Sequence, residues 1–202
     1  MKLYYSPGAC SFAAHVVLHE LALHHTVERV NLRTKKTAAG EDFLSINPKG
    51  YVPALQLDSG EILTEGVAIL QYLADLAPSA GLAAQIGTMQ RYRLMEWLGY
   101  INSEIHKSFS PLFNPAATAE MKAMARDVLA RRYAFTESVL KTRPTLLEAG
   151  YSVADIYLYT TLTWTDRVAV DLAAFAEIGA FRSRIAARPA VIAATAVEFG
   201  RR

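Results

Sequence analysis

At Pro78-Ser79-Ala80-Gly81 the hydrophobic pattern of the chain changes, and that change restricts it to a two-part architecture. Before this break, short β-prone runs alternate with helix-spaced ones; after it, β-branched alternation is absent and only helical spacing remains. With 202 residues, 52% of them hydrophobic, the chain can build a well-buried core in one domain or two small ones. The mean hydropathy of +0.15 raises the question of a membrane, but no apolar stretch approaches the roughly 18 residues of a spanning helix. The opening Met1-Lys-Leu-Tyr-Tyr-Ser-Pro7 breaks at Pro7-Gly8 before the apolar region of a signal peptide can form, so a soluble, cytoplasmic protein is expected. Its 21 Lys and Arg nearly balance 19 Asp and Glu and are spread along the chain. That distribution offers no electrostatic footprint for a polyanion, so neither nucleic acid nor membrane is an expected partner.

Lys2–Tyr5 reads as a strand, Ser11–Leu23 as a helix and Thr26–Val30 as a second strand. A polar loop carrying Lys35, Lys36 and Gly40 leads to a short helix that stops at Asn47-Pro48-Lys49-Gly50. Val52–Leu57 and Ile62–Thr64 flank Asp58-Ser59-Gly60 as a hairpin, and Glu65–Leu76 carries helix-spaced Val67, Leu70, Leu73 and Ala74. The first domain, residues 1–80, is therefore βαβαββα. The second, residues 87–202, is expected to be all-helical. Its segments are Arg91–Phe109, with core-spaced Leu94, Leu98, Ile101 and Ile105 and an end before Pro111, then Ala119–Lys141, Ser152–Val168, Ala173–Ala187 and Ala190–Phe199.

The single cysteine, Cys10, excludes an intrachain disulfide, a paired-cysteine zinc site and a two-cysteine redox motif. It lies between a strand and a helix, where unpaired backbone N–H groups and the helix dipole stabilise a thiolate. The bland alternative is a small buried hydrophobe. His15 and His19 stand four apart, but HVVLHE offers no third ligand at the metalloprotease spacing; they read as helix-surface histidines, and no metal is expected. His24 and His25 suit the helix end as cations.

Val52-Pro53 opens a strand, where proline is tolerated; composition favours a trans bond, whereas a cis bond lets the Val52 backbone meet an extended peptide. Glu65-Gly66 sets a carboxylate beside the free N–H donors of a helix start, where a ligand ammonium and carboxylate can both be held; an ordinary favourable first-turn Glu is the alternative. Asn102, Ser103, His106 and Lys107 turn away from the core face of their helix, toward solvent, a cleft or a second subunit. Ser152 and Asp155 read as a structural helix cap.

Ser6-Pro-Gly-Ala-Cys10, Asn47-Pro-Lys-Gly-Tyr-Val-Pro53, Leu63-Thr-Glu-Gly-Val-Ala-Ile-Leu-Gln-Tyr72 and Tyr151-Ser-Val-Ala-Asp155, in this order, resemble a glutathione transferase over essentially the whole chain. Cys10 and the pair His106-Lys107 resemble the bacterial beta class. The resemblance implies a thioredoxin-like first domain, an all-helical second domain, and a homodimer with glutathione on each first domain. Pro53 is then the cis-proline, Val52 pairs with the cysteinyl part of glutathione, and Glu65 with Gly66 holds the γ-glutamyl end. Lys35 and His106 contact the rest of the tripeptide, Ser103 and Glu104 reach in from the neighbouring subunit, and Cys10 lies near the thiol. Gly66 stands where many members have serine, so a hydroxyl contact is absent. Gly99 stands where the class often has asparagine, and it offers no side chain.

The expected activity is detoxifying conjugation of the glutathione thiol to small hydrophobic electrophiles, with glutathione as co-substrate and no tightly bound cofactor. Cys10 and His106 are the catalytic candidates, and Phe109, Phe113 and Trp164 are candidates for the electrophile wall, since apolar substrates need an apolar pocket. Two rivals stand beside this reading. One is a glutathione-dependent thiol transferase or reductive dehalogenase in which Cys10 forms a mixed disulfide; the other is a non-catalytic interaction protein of the same fold.

Overall fold

The computed structural model of the chain describes residues 1–200. Two compact units emerge: residues 1–81 together with the C-terminal segment from Ala187, and Leu82–Ala186.

The first unit contains β1 (Lys2–Tyr5), α1 (Ser11–Glu20), β2 (Thr26–Asn31), β3 (Lys36–Thr37), α2 (Phe43–Ile46), β4 (Ala54–Gln56), β5 (Ile62–Thr64) and α3 (Gly66–Leu76). The sheet order is β3-β2-β1-β4-β5, with β1 and β2 parallel and the other neighbours antiparallel. This is the expected thioredoxin-like arrangement with one addition. At two residues, β3 is too short for a period-2 pattern to mark. Leu3, Tyr4 and Tyr5 are all buried, as a central strand covered on both faces requires. Helix α1 is buried from Ser11 to Leu18 without a solvated stripe, because α3 packs against it and so does the last helix of the chain, Pro189–Phe199.

The second unit contains α4 (Met89–Tyr100), α5 (Ser110–Phe113), α6 (Ala119–Leu140), α7 (Val153–Leu162) and α8 (Ala176–Ala186); the helix Pro189–Phe199, α9, belongs to the first unit. The expected division at 87–202 is thus revised at its C-terminal end. Helical spacing reveals that α9 has an apolar stripe but not which unit covers it. The segment expected as one helix over Arg91–Phe109 is a succession of forms: α4, a π-helical stretch at Ile101–His106, a 3-10 turn at Lys107–Phe109, and then α5. Pro111 does not stop it, since it sits in the first turn of α5, where its missing N–H costs nothing. Leu94, Leu98, Ile101 and Ile105 are fully buried, so the core face holds through the π segment.

Among the described residues, no helix is long and apolar enough to cross a membrane. Helix α7 is buried along its whole length and starts with the expected capping box. Asp155 accepts from the N–H of Leu146 at 2.9 Å and from the N–H and hydroxyl of Ser152, each at 2.9 Å. Burial pushes the Asp155 carboxyl up to about 6 while these donors pull it down. Asp155→Ala strands the buried N–H donors of Leu146 and Ser152 and removes the Asp155 half of the capping box, at a cost of about 3 kcal/mol. The expected readout is a lower urea midpoint at unchanged slope. A midpoint equal to wild type contradicts the assignment.

Candidate active site

In the first unit the loop between α2 and β4 is the hub. Asn47 is buried; its side chain donates to the Tyr51 carbonyl at 2.8 Å and accepts from the Lys49 N–H at 3.2 Å, which closes the loop on itself. The Val52–Pro53 bond is cis, as the family resemblance implies and composition does not. Val52 packs into the core beside Tyr4 and Phe43. Its carbonyl accepts a hydrogen bond from the Cys10 thiol at 3.1 Å. Cys10 itself is the N-cap residue of α1 and is half-buried rather than enclosed in the core.

Lys35 reaches the same loop from the other side. Its ammonium donates to the Gly50 carbonyl at 2.8 Å and lies 5.5 Å from the Tyr51 ring centre. Glu65 caps α3 with φ of 69°, and its carboxylate pairs with Lys49 at 2.7 Å. Lys49 also donates to the Thr64 hydroxyl at 3.0 Å. The structure thus joins Cys10, Lys35, Val52 and Glu65 through one loop and adds Lys49, which sequence reasoning read only as part of a helix stop. The available signal was its positive charge in a turn preceding the hairpin that ends at Glu65, but spacing alone does not pair them. Gly66 follows as the first residue of α3. A Cβ there meets only Pro53 Cγ at 3.9 Å, so a serine fits and its absence is not steric.

In the second unit, His106 and Asn102 are not on a solvated face. The π stretch brings both to the hydroxyl of Tyr157, at 2.6 Å from His106 Nδ1 and 3.0 Å from Asn102 Oδ1. Because Tyr157 donates to Asn102, His106 Nδ1 is the donor in its own bond to the phenol oxygen. The His106 ring packs 4.8 Å from Trp164, and burial, with Lys107 beside it, pushes its pKa down to about 4. Phe109, Phe113 and Trp164 form one aromatic cluster with centroid separations of 5.3–6.1 Å. Phe109 and Trp164 are buried core, however, and only Phe113, 45% exposed, presents a substantial surface. Exposed Ser103 donates to the Gly99 carbonyl at 3.0 Å, and Glu104 pairs with Arg132 at 2.7 Å within its own chain. A Cβ added at Gly99 meets nothing within 4 Å.

The helix-surface reading of His15 and His19 does not hold. His15 is fully buried, because α9 covers this face of α1. After α1 the chain turns through Ala22, at φ of 49°, and brings His25 beside both.

The N-terminal domain model of glutathione S-transferases matches residues 8–76, and the C-terminal domain model matches residues 100–189. The chain belongs to the glutathione S-transferase family. It is 43% identical to Glutathione S-transferase GstA of Escherichia coli O157:H7 over 98% of both chains. A bacterial beta class glutathione S-transferase of Sphingomonas chungbukensis superposes with a TM-score of 0.96 at 44% identity, covering 100% of both chains. A sphingomonad glutathione S-transferase solved in complex with glutathione superposes with a TM-score of 0.95 at 48% identity over 98% of both chains. These likenesses identify this glutathione S-transferase as one of the bacterial beta class.

The neutral His106 of this transferase has a stability consequence. An unfolded histidine titrates near 6.5 and His106 near 4, so as pH falls the unfolded chain takes up the proton first. Stability is fully present above 6.5 and is lost as pH falls toward 4, by about 3 kcal/mol for this group. His106→Gln is expected to flatten that part of the acid limb in urea melts at pH 7 and pH 5. Identical pH dependence in the two proteins contradicts a buried neutral imidazole.

Proposed function

We propose that this glutathione S-transferase binds glutathione on its first unit and transfers its thiol to small hydrophobic electrophiles, acting in the cytoplasm as a homodimer. The observation that carries the reading is the convergence of Cys10, Lys35 and the Lys49–Glu65 pair on the loop that ends in the cis Val52–Pro53 bond. Glutathione is an extended zwitterion, and this surface supplies a partner for each part. The Val52 backbone suits the cysteinyl segment. Glu65 takes the γ-glutamyl ammonium in exchange for Lys49, and the start of α3 at Gly66 takes the adjoining carboxylate. Lys35 supplies positive charge for the remaining carboxylate.

The thiol loses its proton, the sulfur attacks the electrophilic carbon, and the leaving group departs with its electron pair. Oriented binding and thiolate stabilisation supply most of the rate. From the second unit we assign His106 to the tripeptide and exposed Phe113 to the electrophile, with Phe109 and Trp164 backing it. A mixed disulfide at Cys10 is a second reading, favoured by its half-exposed thiol at a helix N-terminus. In Cys10→Ala, retained conjugation with an aryl halide supports conjugation by glutathione alone. Its complete loss, together with a glutathione adduct on the wild-type mass after oxidised glutathione, supports thiol exchange.

The dimer is supported by a groove of about 740 Å³ in the second unit, where Trp97, Tyr100 and Phe135 lie among arginines including Arg132. Such a patch suits a two-fold contact, in which the same surface meets its own copy. Ser103 and Glu104 lie on the segment that follows α4, and we keep them as the residues offered to the neighbouring subunit, Glu104 exchanging Arg132 for that contact.

Two substitutions test the glutathione site by calorimetry. Glu65→Ala removes a charged partner and should weaken glutathione binding about 10- to 100-fold without unfolding the chain. Gly66→Ser restores a hydroxyl that the geometry accommodates and should tighten binding about tenfold. Unchanged affinity in both variants sinks the assignment.

A further inference from the structure

The first unit carries a second group of chemistry-bearing side chains that the glutathione site does not use. His15 and His19 of α1 and His25 before β2 each offer one imidazole nitrogen, and these nitrogens lie within 4.8 Å of one another. Their ring centroids are 5.0–5.8 Å apart. His15 Nδ1 lies 3.0 Å from the Glu198 carboxylate, and His25 Nδ1 lies 2.7 Å from the Leu23 carbonyl. A carboxylate and a carbonyl only accept, so both imidazoles carry a proton on Nδ1, and in the neutral ring Nε2 is the nitrogen left with the lone pair. Nε2 of His15 and Nε2 of His19 are buried without a hydrogen-bond partner, and the His15 side chain is only 1% exposed. Buried lone pairs without a donor are uncommon and costly.

We infer that His15, His19 and His25 form a binding site for a divalent transition-metal ion of the zinc type, with Glu198 and the Leu23 carbonyl fixing two of the ligand rings from behind. A carboxylate or carbonyl behind a ligating histidine is the usual outer support of such sites. Tetrahedral zinc, at about 2.0–2.1 Å from each nitrogen, needs the three nitrogens about 3.4 Å apart. The partly exposed His19 and His25 supply that closure onto the buried His15, and water takes the fourth position. The ion ties the end of α1 to the start of β2 and, through Glu198, to α9. It sits toward the opposite end of the ten-residue α1 from Cys10, a helix about 15 Å long, so its role is to clamp the first unit.

Zinc alone is the probe, titrated calorimetrically into chelator-treated protein without glutathione. Wild type should bind one zinc per chain, and its melting temperature should rise with zinc concentration. His19→Gln and His25→Gln should each bind at least tenfold more weakly, while Cys10→Ala and His24→Gln bind as wild type does. In the wild-type protein, zinc should shift the imidazole NMR resonances of His15, His19 and His25 together, a readout independent of how the variants fold. Absence of zinc binding by wild type, equal affinity in the two histidine variants, or shifts confined to His24 or His106 would overturn the site.

Discussion

A single buried carboxylate organises the first unit. Glu198, near the end of α9, accepts from the Gly8 N–H at 2.9 Å and from His15 at 3.0 Å, with its side chain fully buried. Gly8 has φ of 66°, in the loop that turns β1 into α1 and delivers Cys10 to the helix start. Burying a charge is costly unless every lone pair is used, and here two donors from separate parts of the chain use it. The carboxylate therefore does more than attach the last helix. It fixes the loop that aims the thiol and the ring that anchors the histidine group, and both would be left with unmet donors if α9 were peeled away. That dependence explains why a helix following the all-helical unit in sequence is part of the first unit in space.

The surface proposed for glutathione is built from backbone strain held by side chains. Lys35 and Glu65 are not glycines, yet they adopt φ of 56° and 69°. Such residues cost about 1–3 kcal/mol each and persist only where surrounding bonds over-determine them. Lys35 is held through Gly50, and Glu65 through Lys49. Both anchors lie in the loop that Asn47 closes from within. Removal of either lysine thus acts on loop geometry as well as on charge, which separates this site from a set of independent surface charges.

How much of this was legible depended on whether a feature was local. The strands, the hairpin and the capping box at Ser152 follow from alternation and turn chemistry inside short windows, and the structure has them. The π stretch at Ile101–His106 was invisible, because Ile101 and Ile105 still fall on the buried face and a 3.6-residue pattern accommodates the extra residue. His15 was misread as exposed since polar side chains on a helix normally face water; only Glu198, 183 residues away, makes its burial tolerable. Lys49 was hidden for a related reason. Its value lies in a partner across the loop, and no periodicity encodes that. The order of the four family motifs carried the cis proline, which composition on its own assigned otherwise.

The second unit alters the chemistry available to His106. A histidine named as a catalytic candidate beside a thiol is expected to donate to the sulfur and help to hold its negative charge. In the structure its Nδ1–H is committed to Tyr157, whose own proton goes to Asn102, and its pKa near 4 keeps the ring neutral. A neutral imidazole bound in this way presents only a lone pair at Nε2, so it accepts a hydrogen bond and supplies no counter-charge. In the proposed reaction, thiolate stabilisation would then fall to groups that keep fixed partial charges at neutral pH, such as the N–H donors at the start of α1. In the function proposed above, an accepting His106 would orient a thiol or an amide, and the hydroxyl of Tyr157 decides which nitrogen is left to accept. The hydrogen-bonding character of this histidine is thereby set by a residue of α7 that the sequence motifs did not single out.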